Sequence, residues 1–311
     1  MFRYIVRRLL QMALAFFGTT LLVYAMMFAA QGDPIQALAG EKPVSASQRA
    51  VLTERYHLDK TGIDGFLYRY WDYVSNLMRG DFGTTLAGRS ISDVLQAAWP
   101  FTIKLALMAI SFVIVFGITA GVIAGIRRGS LFDTTTLLLT LVVIGIPVFV
   151  LGYIGQYLLT NKWRLFKPTA NDGSLYSLLL PALVLGMLAL ATALRLTRTS
   201  VAENLRSDYV RTAKSKGLPQ RRVIGVHVLR NSLIPVVTYL GITIGDLMSG
   251  AIVTERIFNV PGIGFNVAKG IQTEDGPLVV GIISLLVIVY LTSNLIVDVL
   301  YAVLDPRIRY E

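Results

Sequence analysis

Side chains that could carry out catalysis are sparse in this chain of 311 residues. It contains two histidines, His57 and His227, and no cysteine. The H-E-x-x-H zinc motif and the G-x-S-x-G nucleophile motif do not occur, and neither does the Gly-Lys pair that a phosphate-binding loop requires. We therefore predict no catalytic residue, no cofactor-binding residue and no metal site in this chain, which we do not expect to be an enzyme.

The residues with the most informative spacing form the basic stretch 207–231, SDYVRTAKSKGLPQRRVIGVHVLRN, with six Lys/Arg and one acid. A short helix from residue 208 would place Tyr209, Ala213 and Gly217 on one face. Gly217 can adopt a positive φ and end that helix, and Pro219 suits the first turn of the next one. The spacing predicts a helix–Gly–helix hairpin with a small-residue face free to dock. A basic loop lying on anionic lipid would explain the charge but not these positions.

Long apolar runs surround this stretch. The chain is 54% hydrophobic and 15% charged, whereas globular domains are about 25% charged. A hydrocarbon core needs about 20 apolar residues per helix. The composition predicts an all-α integral membrane protein whose six transmembrane helices occupy residues 9–30, 101–126, 134–159, 177–196, 232–253 and 279–303.

The first apolar run has two interpretations. Arg3, Arg7 and Arg8 precede it, as in the basic region of a signal peptide. Its 22 residues exceed the apolar region of a signal peptide, which is about 7–15 residues, and no clear A-x-A cleavage site follows. We therefore expect an uncleaved first span.

The distribution of charge predicts the orientation. With both termini in the cytoplasm, the inner segments hold 16 of the 29 basic residues, opposed by five acids. This asymmetry is the positive-inside pattern of membrane proteins. It accounts for the net charge of +10 better than nucleic-acid binding does.

The chain divides into three predicted parts. Residues 1–30 form an N-terminal transmembrane helix, residues 31–100 an extracytoplasmic loop, and residues 101–311 a five-helix core with a cytoplasmic loop at about 197–231. Pro100 is expected to separate a short helix, 91–99, from the second span. An amphipathic helix in the outer loop, which would lie on the membrane face or pack on other outer loops, is indicated by the spacing of Leu67, Tyr70, Trp71, Val74, Leu77 and Met78.

Three features inside the spans suggest packing or function. Gly117, Gly121 and Gly125 form a small-residue ladder for helix packing, within one bundle or at a subunit interface. Pro147, two residues after Gly145, predicts a kink in span three. Asp246 lies near the middle of span five, where a charge is costly, and serves either the translocation pathway or a structural hydrogen bond.

Several segments together resemble one family. The stretch from Arg211 to Gly217 and the HVLRN that follows resemble the EAA-type loop of ABC-importer permeases, in the dipeptide/oligopeptide/nickel branch. The matching segments elsewhere are YIVRRLL near the N-terminus, GDP at 32–34, LMRGDFGTT at 77–85, IPVFVLG at 146–152, ERIFNVPGIG at 255–264 and the closing NLIVDVLYAVLDPRIRYE. The segment QTEDGP at 272–277 departs from the usual pattern. The chain resembles the B-type permease of a peptide importer.

This resemblance implies a division of labour. The chain would adopt the ABC importer type I permease fold in the bacterial plasma membrane, and residues 101–311 would be its permease core. It would pair with a homologous second permease, two ABC ATPase subunits that bind ATP and Mg, and an extracytoplasmic peptide-binding protein. ATP-driven closure of the ATPases would move a coupling helix and switch the pore between outward and inward access.

The resemblance also implies the site residues. The ATPase-coupling helix would comprise Asp208, Tyr209, Val210, Arg211, Thr212, Ala213, Lys214, Ser215, Lys216, Gly217 and Leu218. The translocation pathway or outer gate is predicted at Asp246, Glu255, Phe258 and Asn294.

Other functions stay open at this point. The same machinery could import nickel chelates, glutathione or haem instead of dipeptides or oligopeptides. A stand-alone secondary transporter or channel would use the basic loop only for orientation, but the spans lack a relay of acids and histidines. An intramembrane enzyme would require a nucleophile with its base, or a metal triad, and the sequence offers neither.

Overall fold

The computed structural model describes residues 2–29, 45–55, 62–249 and 251–304, so the GDP at 32–34 and the last seven residues lie outside the described part. Within it, the only β contact is the isolated bridge between Thr84 and Ser90. The helices are α1 (Phe2–Ala29), α2 (Ala46–Arg55), α3 (Gly62–Met78), α4 (Ile91–Phe112), α5 (Thr119–Ile126), α6 (Leu131–Gly145), α7 (Val148–Gln156), α8 (Leu175–Asn204), α9 (Asp208–Ser215), α10 (Gln220–Arg222), α11 (Leu229–Ser232), α12 (Ile234–Ser249), α13 (Ile252–Phe258), α14 (Ile263–Gln272) and α15 (Gly276–Leu304). Wider π-helical turns lie at Val113–Ile118, Tyr157–Lys162 and Val223–Val228.

Four helices in the described part are long and apolar enough to cross a membrane. They are Val6–Ala25, Ile91–Ile126, Leu175–Asn204 and Gly276–Ile296. Two bent pairs bring the number to six if each is one span: Leu131–Gly145 with Val148–Lys162, and Gln220–Ser232 with Ile234–Met248. We number these spans one to six in chain order. The predicted number of spans therefore agrees with the structure when the bent pairs are counted.

The bend in span three occurs where the sequence predicts a kink. Helices α6 and α7 meet at 103° across Ile146 and Pro147. Ile146 is extended, with φ −107° and ψ 126°, because the ring of a following proline disfavours the helical conformation. The structure thus has a break rather than a mild kink.

Pro100 does not end a helix, and the prediction of a separate helix 91–99 is wrong. Helix α4 continues through Pro100 from Ile91 to Phe112. Proline removes one helical hydrogen bond, but the turns before it are held by packing. Buried Ile91 and Leu95 belong to an apolar cluster with Ile263 and Ile282 on helices α14 and α15.

The glycine ladder packs within this chain. A Cβ at Gly117 would lie 3.3 Å from the Leu190 carbonyl oxygen on α8, and one at Gly121 would lie 2.7 Å from the Leu194 carbonyl oxygen. Gly125 makes a similar approach to the Arg198 carbonyl. The ladder therefore brings the backbones of spans two and four together.

Helix α3 is the predicted amphipathic helix, and its apolar residues divide between two faces. Tyr70, Val74 and Leu77 are buried, and the Tyr70 hydroxyl donates to the Phe17 carbonyl of span one at 2.9 Å. The Tyr73 hydroxyl lies 2.5 Å from the Ser284 hydroxyl of span six. The flank next to this buried face exposes Leu67, Trp71 and Met78. One face thus packs on this chain's own spans, an alternative that the sequence prediction did not include.

Candidate functional sites

Helix α9 ends in a hydrogen-bonded cap built around Gly217. Gly217 has φ 75°, its amide donates to the Lys214 carbonyl at 2.9 Å, and the Leu218 amide donates to the Ala213 carbonyl at 3.3 Å. These two bonds and the positive φ define a Schellman motif. A side chain at position 217 would meet open space but would strain the backbone. The predicted role of Gly217 in ending the helix is therefore confirmed.

An apolar cluster fixes α9 to the ends of two spans. Val210 and Ala213 on α9 pack with Val201 of span four and with Val223 and Val228 at the start of span five. The side chains in this cluster are almost fully buried, so α9 packs directly against both span ends.

The outward face of α9 differs from the predicted one. Ala213 is only 6% exposed, so the prediction that it lies on the free face is wrong. The helical period places Ala213 on the same face as Val210, and both side chains are buried in the apolar cluster. The face available to a partner is edged by Tyr209, 38% exposed, and carries the exposed residues Arg211, Thr212, Lys214, Ser215 and Lys216.

An ion pair joins spans three and four near this hairpin. Arg198 donates twice to Asp133, from Nε to Oδ1 at 2.9 Å and from the second guanidinium nitrogen to Oδ2 at 2.7 Å. The Gly129 amide also donates to Asp133 at 2.8 Å. Bidentate pairing of this kind fixes orientation as well as distance. It holds the end of α8, and so the base of the hairpin, against α6.

Glu255 is the centre of a second site, in the segment between spans five and six. Its side chain is completely buried. Oε1 accepts a 2.7 Å hydrogen bond from the Thr102 hydroxyl, and Oε2 accepts a 2.9 Å bond from the Phe265 amide. The Thr102 oxygen in turn accepts a 2.8 Å bond from the Ile263 amide. Thr102 and Glu255 thus satisfy first-turn amides of α14, whose own N-terminal residue Gly262 provides no side-chain cap.

We call this arrangement of Thr102, Glu255 and the start of α14 the outer clamp, after the side of the membrane on which the predicted orientation places it. It joins span two, α13 and α14. A Cβ at Gly262 would collide with the Glu255 carboxylate, which explains why glycine suits this position. Burial raises the pKa of the Glu255 carboxyl to about 7, and the hydrogen bonds from Thr102 and the Phe265 and Gly264 amides oppose that rise.

The other predicted pathway residues lie apart from one another. Phe258 is 1% exposed, and its carbonyl accepts a 2.8 Å bond from the Ala170 amide. Asp246 is exposed on α12 in span five. Asn294 lines a cavity between spans one and six. The structure brings Glu255 and Phe258 onto one helix, α13, and does not gather all four residues at one place.

Sequence reasoning missed Thr102, Asp133 and Arg198. Thr102 is one of many threonines in apolar runs, and its partner is 153 residues away. The pairing of Asp133 with Arg198 likewise requires knowledge of how two spans pack. Among the described residues, no group of three or more His, Asp or Glu side chains could hold a metal ion.

The helical fold, with four to six apolar spans and an exposed hairpin between two of them, defines a multi-span membrane protein. Residues 117–310 match the family described as binding-protein-dependent transport system inner membrane component. DppB of Pseudomonas aeruginosa (strain UCBPP-PA14), a di/tripeptide transport system permease protein, is 38% identical over 340 residues, covering 100% of both chains. DppB of Escherichia coli (strain K12), a dipeptide transport system permease protein, is 35% identical with the same coverage. GsiC of that strain, a glutathione transport system permease protein, is 34% identical, again over 100% of both chains.

The chain therefore belongs to this family of inner membrane components, the permeases of ABC importers, and has their type I permease fold. It is a multi-pass protein of the bacterial plasma membrane and a translocation subunit. The resemblance, the helical type I permease fold and the localisation predicted from the sequence are confirmed, whereas the cytoplasmic placement of both termini stays a prediction.

Proposed function

We propose that this chain is the pore-forming permease subunit of an ATP-driven importer of dipeptides and oligopeptides. The observation that carries the energy-coupling part of this proposal is the hairpin of α9. It exposes a polar face while its apolar face is locked onto spans four and five. The substrate class rests on full-length similarity to peptide permeases.

The proposed assembly contains four kinds of chain. A homologous second permease completes the pore, two ABC ATPase subunits dock beneath, and an extracytoplasmic peptide-binding protein delivers the substrate. ATP and Mg bind to the ATPases. With both termini cytoplasmic, α9 faces the ATPases and the outer clamp faces the binding protein. The three parts of the chain (residues 1–30, 31–100 and 101–311) then serve as anchor, outer loop and permease core.

Energy enters through residues 208–218. The ATPase contacts the face edged by Tyr209 and lined by basic side chains, and its closure displaces α9. Because Val210 and Ala213 are packed against Val201 and Val228, that displacement moves the inner ends of spans four and five. Packed interfaces transmit such shifts because they do not deform continuously.

The pathway residues have distinct proposed roles. Asp246 faces the pore, because a charged side chain exposed on a span is costly against lipid and favourable toward water. Glu255 and Phe258 form part of the outer gate as interior positioning residues rather than as substrate contacts, since neither is exposed.

Glutathione is the second candidate substrate. GsiC matches this chain over its full length at 34% identity, close to the values for the dipeptide permeases. Mass spectrometry of the solute bound by the partner binding protein distinguishes a dipeptide from glutathione.

Reconstitution of the complex in liposomes tests the proposal. Gly217→Val should insert normally but abolish uptake and ATPase attachment, because a β-branched residue cannot hold φ 75° without strain. Gly217→Asn is the matched control, since asparagine tolerates this conformation. Uptake driven by an ion gradient without ATPases would instead support a secondary transporter.

A further inference from the structure

The break between α6 and α7 lies at the motif IPVFVLG at 146–152, which the coupling and clamp sites do not use. Ile146 is extended and Pro147 has no backbone N–H, so the helical hydrogen bonds stop here. Among the described residues, the backbone carbonyls of 144–146 accept no hydrogen bond, and the amides of 148 and 149 donate none. The break therefore leaves these backbone groups available to another partner.

The break lies within the thickness of the membrane. Arg127 and Arg128 are exposed just before α6, and exposed charges belong at the polar boundary rather than in hydrocarbon. Helix α6 then has 15 residues, which rise at most about 22 Å at 1.5 Å per residue, and any tilt shortens that rise. Because the hydrocarbon core is about 30 Å thick, α6 ends before it reaches the far boundary. Unpaired backbone groups at such a depth face water or protein, not lipid.

The break opens away from this chain. Gly145 and Pro147 are exposed, and a Cβ built on Gly145 would meet no atom within 4 Å. Beyond the break, exposed aromatic side chains occupy every fourth position, Phe149, Tyr153 and Tyr157, and so follow one side of the helix. Neither tyrosine hydroxyl has a hydrogen-bond partner in the described part of the chain. Because an unpaired hydroxyl is costly in hydrocarbon, this side of α7 also favours a polar environment.

The buried side of α7 packs on α13, the helix of the proposed outer gate. A Cβ on Gly152 would lie 2.9 Å from Ile257 Cδ1. The Gln156 side-chain amide donates to the Ile257 carbonyl at 3.2 Å. Val148 packs on the apolar cluster that contains Ile257 and Phe258. The exposed side of α7 therefore lies next to the segment that is proposed to control entry to the pathway.

We propose that the break and the exposed aromatic side of α7 line the water-filled translocation pathway and contact the peptide there, an inference that rests on the proposed function. The free carbonyls of 144–146 accept N–H groups of the peptide, and the rings of Phe149, Tyr153 and Tyr157 contact its side chains. Backbone acceptors recognise the groups that all peptides share, so this surface suits peptides of varied sequence. Water is favoured over the second permease because carbonyls, amides and hydroxyls are all left unpaired beside the outer gate.

Thiol modification in the assembled, transporting complex tests this placement. The chain has no cysteine, so Tyr153→Cys and Leu14→Cys each introduce a single thiol at an exposed position. Leu14, in span one, is the matched control. A charged, membrane-impermeant methanethiosulfonate should modify position 153 at least about tenfold faster than position 14, because the reactive thiolate forms in water and is disfavoured in hydrocarbon. Dialanine at a saturating concentration should slow the reaction at position 153.

The outcomes separate this inference from the proposed function. Modification at position 153 as slow as at position 14 would overturn the inference, since it would place α7 against lipid or the second permease. So would modification that dialanine does not slow in a complex that imports dialanine. A complex that imports glutathione instead, and whose position 153 is protected by glutathione, would support the inference while refuting the dipeptide assignment.

A second measurement uses the unchanged chain. A dipeptide of alanine and a diazirine-bearing leucine is illuminated with the transporting complex, and the labelled residues are identified by mass spectrometry. Adducts are expected within residues 144–157. Adducts found only on other spans or on the second permease would overturn the inference.

Discussion

The Thr102 hydroxyl donates a 2.7 Å hydrogen bond to the carboxylate of Glu255, although 153 residues separate them in the chain. Both side chains are fully buried. Through this bond, span two is fastened to the segment between spans five and six, on which the outer gate is proposed to depend. Thr102 also accepts the Ile263 amide, so it links the start of α14 to the same carboxylate.

Loss of the Thr102 hydroxyl should destabilise the protein. Thr102→Val preserves shape but leaves the Ile263 amide and one carboxylate oxygen without this partner, at a cost of about 2–4 kcal/mol. Thr102→Ser restores the hydroxyl and should recover most of the stability. Thermal unfolding in detergent measures both. A valine variant that unfolds at the parent's temperature would contradict the proposed importance of the clamp.

The stability of the protein should depend on the ionisation of Glu255. Burial raises its pKa from 4.5 to about 7, so between these values the folded state binds a proton that the unfolded state has lost. Stability from this group is therefore fully present below pH 4.5 and is lost as pH rises through 7. The total change is at most about 3 kcal/mol.

Glu255→Gln tests that pH dependence because it is neutral at every pH. The free energy of unfolding of the variant minus that of the parent should rise between pH 5 and 7.5 and then level off. A difference that stays constant across this range would show that Glu255 does not titrate there.

The Asp133–Arg198 pair should contribute to the stability of the hairpin base. Their side chains are 3% and 17% exposed, and breaking a buried pair costs about 3–5 kcal/mol. Asp133→Asn should lower the free energy of unfolding by an amount near the lower end of that range, because Arg198 is partly exposed. Asp208→Asn is the control, since its contact with Arg211 is exposed and contributes less than about 1 kcal/mol. Equal unfolding free energies for the two variants would contradict this difference.

The contact between spans two and four should not tolerate an added methyl group. Gly121→Ala would place a Cβ 2.7 Å from both the Leu194 carbonyl oxygen and the Thr197 Cβ. Overpacking of this kind costs about 1–3 kcal/mol. Gly18→Ala in span one meets no atom within 4 Å and should be neutral or slightly stabilising. Thermal unfolding separates the two, and matching midpoints would argue against close packing at Gly121.

The sequence was sufficient where a local rule decides the outcome. The lengths of the apolar runs predict the spans, Pro147 predicts the break in span three, and Gly217 predicts the end of α9. It failed where packing overrides a local rule. Pro100 remains inside a helix because neighbouring turns are held by α14 and α15, and Ala213 faces inward because an apolar cluster surrounds it.

The outer clamp was only partly accessible from the sequence. The sequence predicts Glu255 as a pathway or gate residue but does not identify its hydrogen-bond partners. Those partners lie on another span and on the first turn of α14. Pairings over such separations depend on how the spans pack, which neither periodicity nor composition specifies.

We propose that an ATPase moves this permease through contact with α9. The chain has no cysteine, so a single Ser215→Cys on the exposed face of α9 can carry a short photoreactive crosslinker. The measurement is its crosslinking yield in the assembled, transporting complex with and without ATP. Asn171→Cys, exposed in the loop before span four, is the control. We predict an adduct with the ATPase from position 215 whose yield changes with ATP, and none from position 171. Active transport with no ATPase adduct at position 215 would show that α9 does not contact the ATPase.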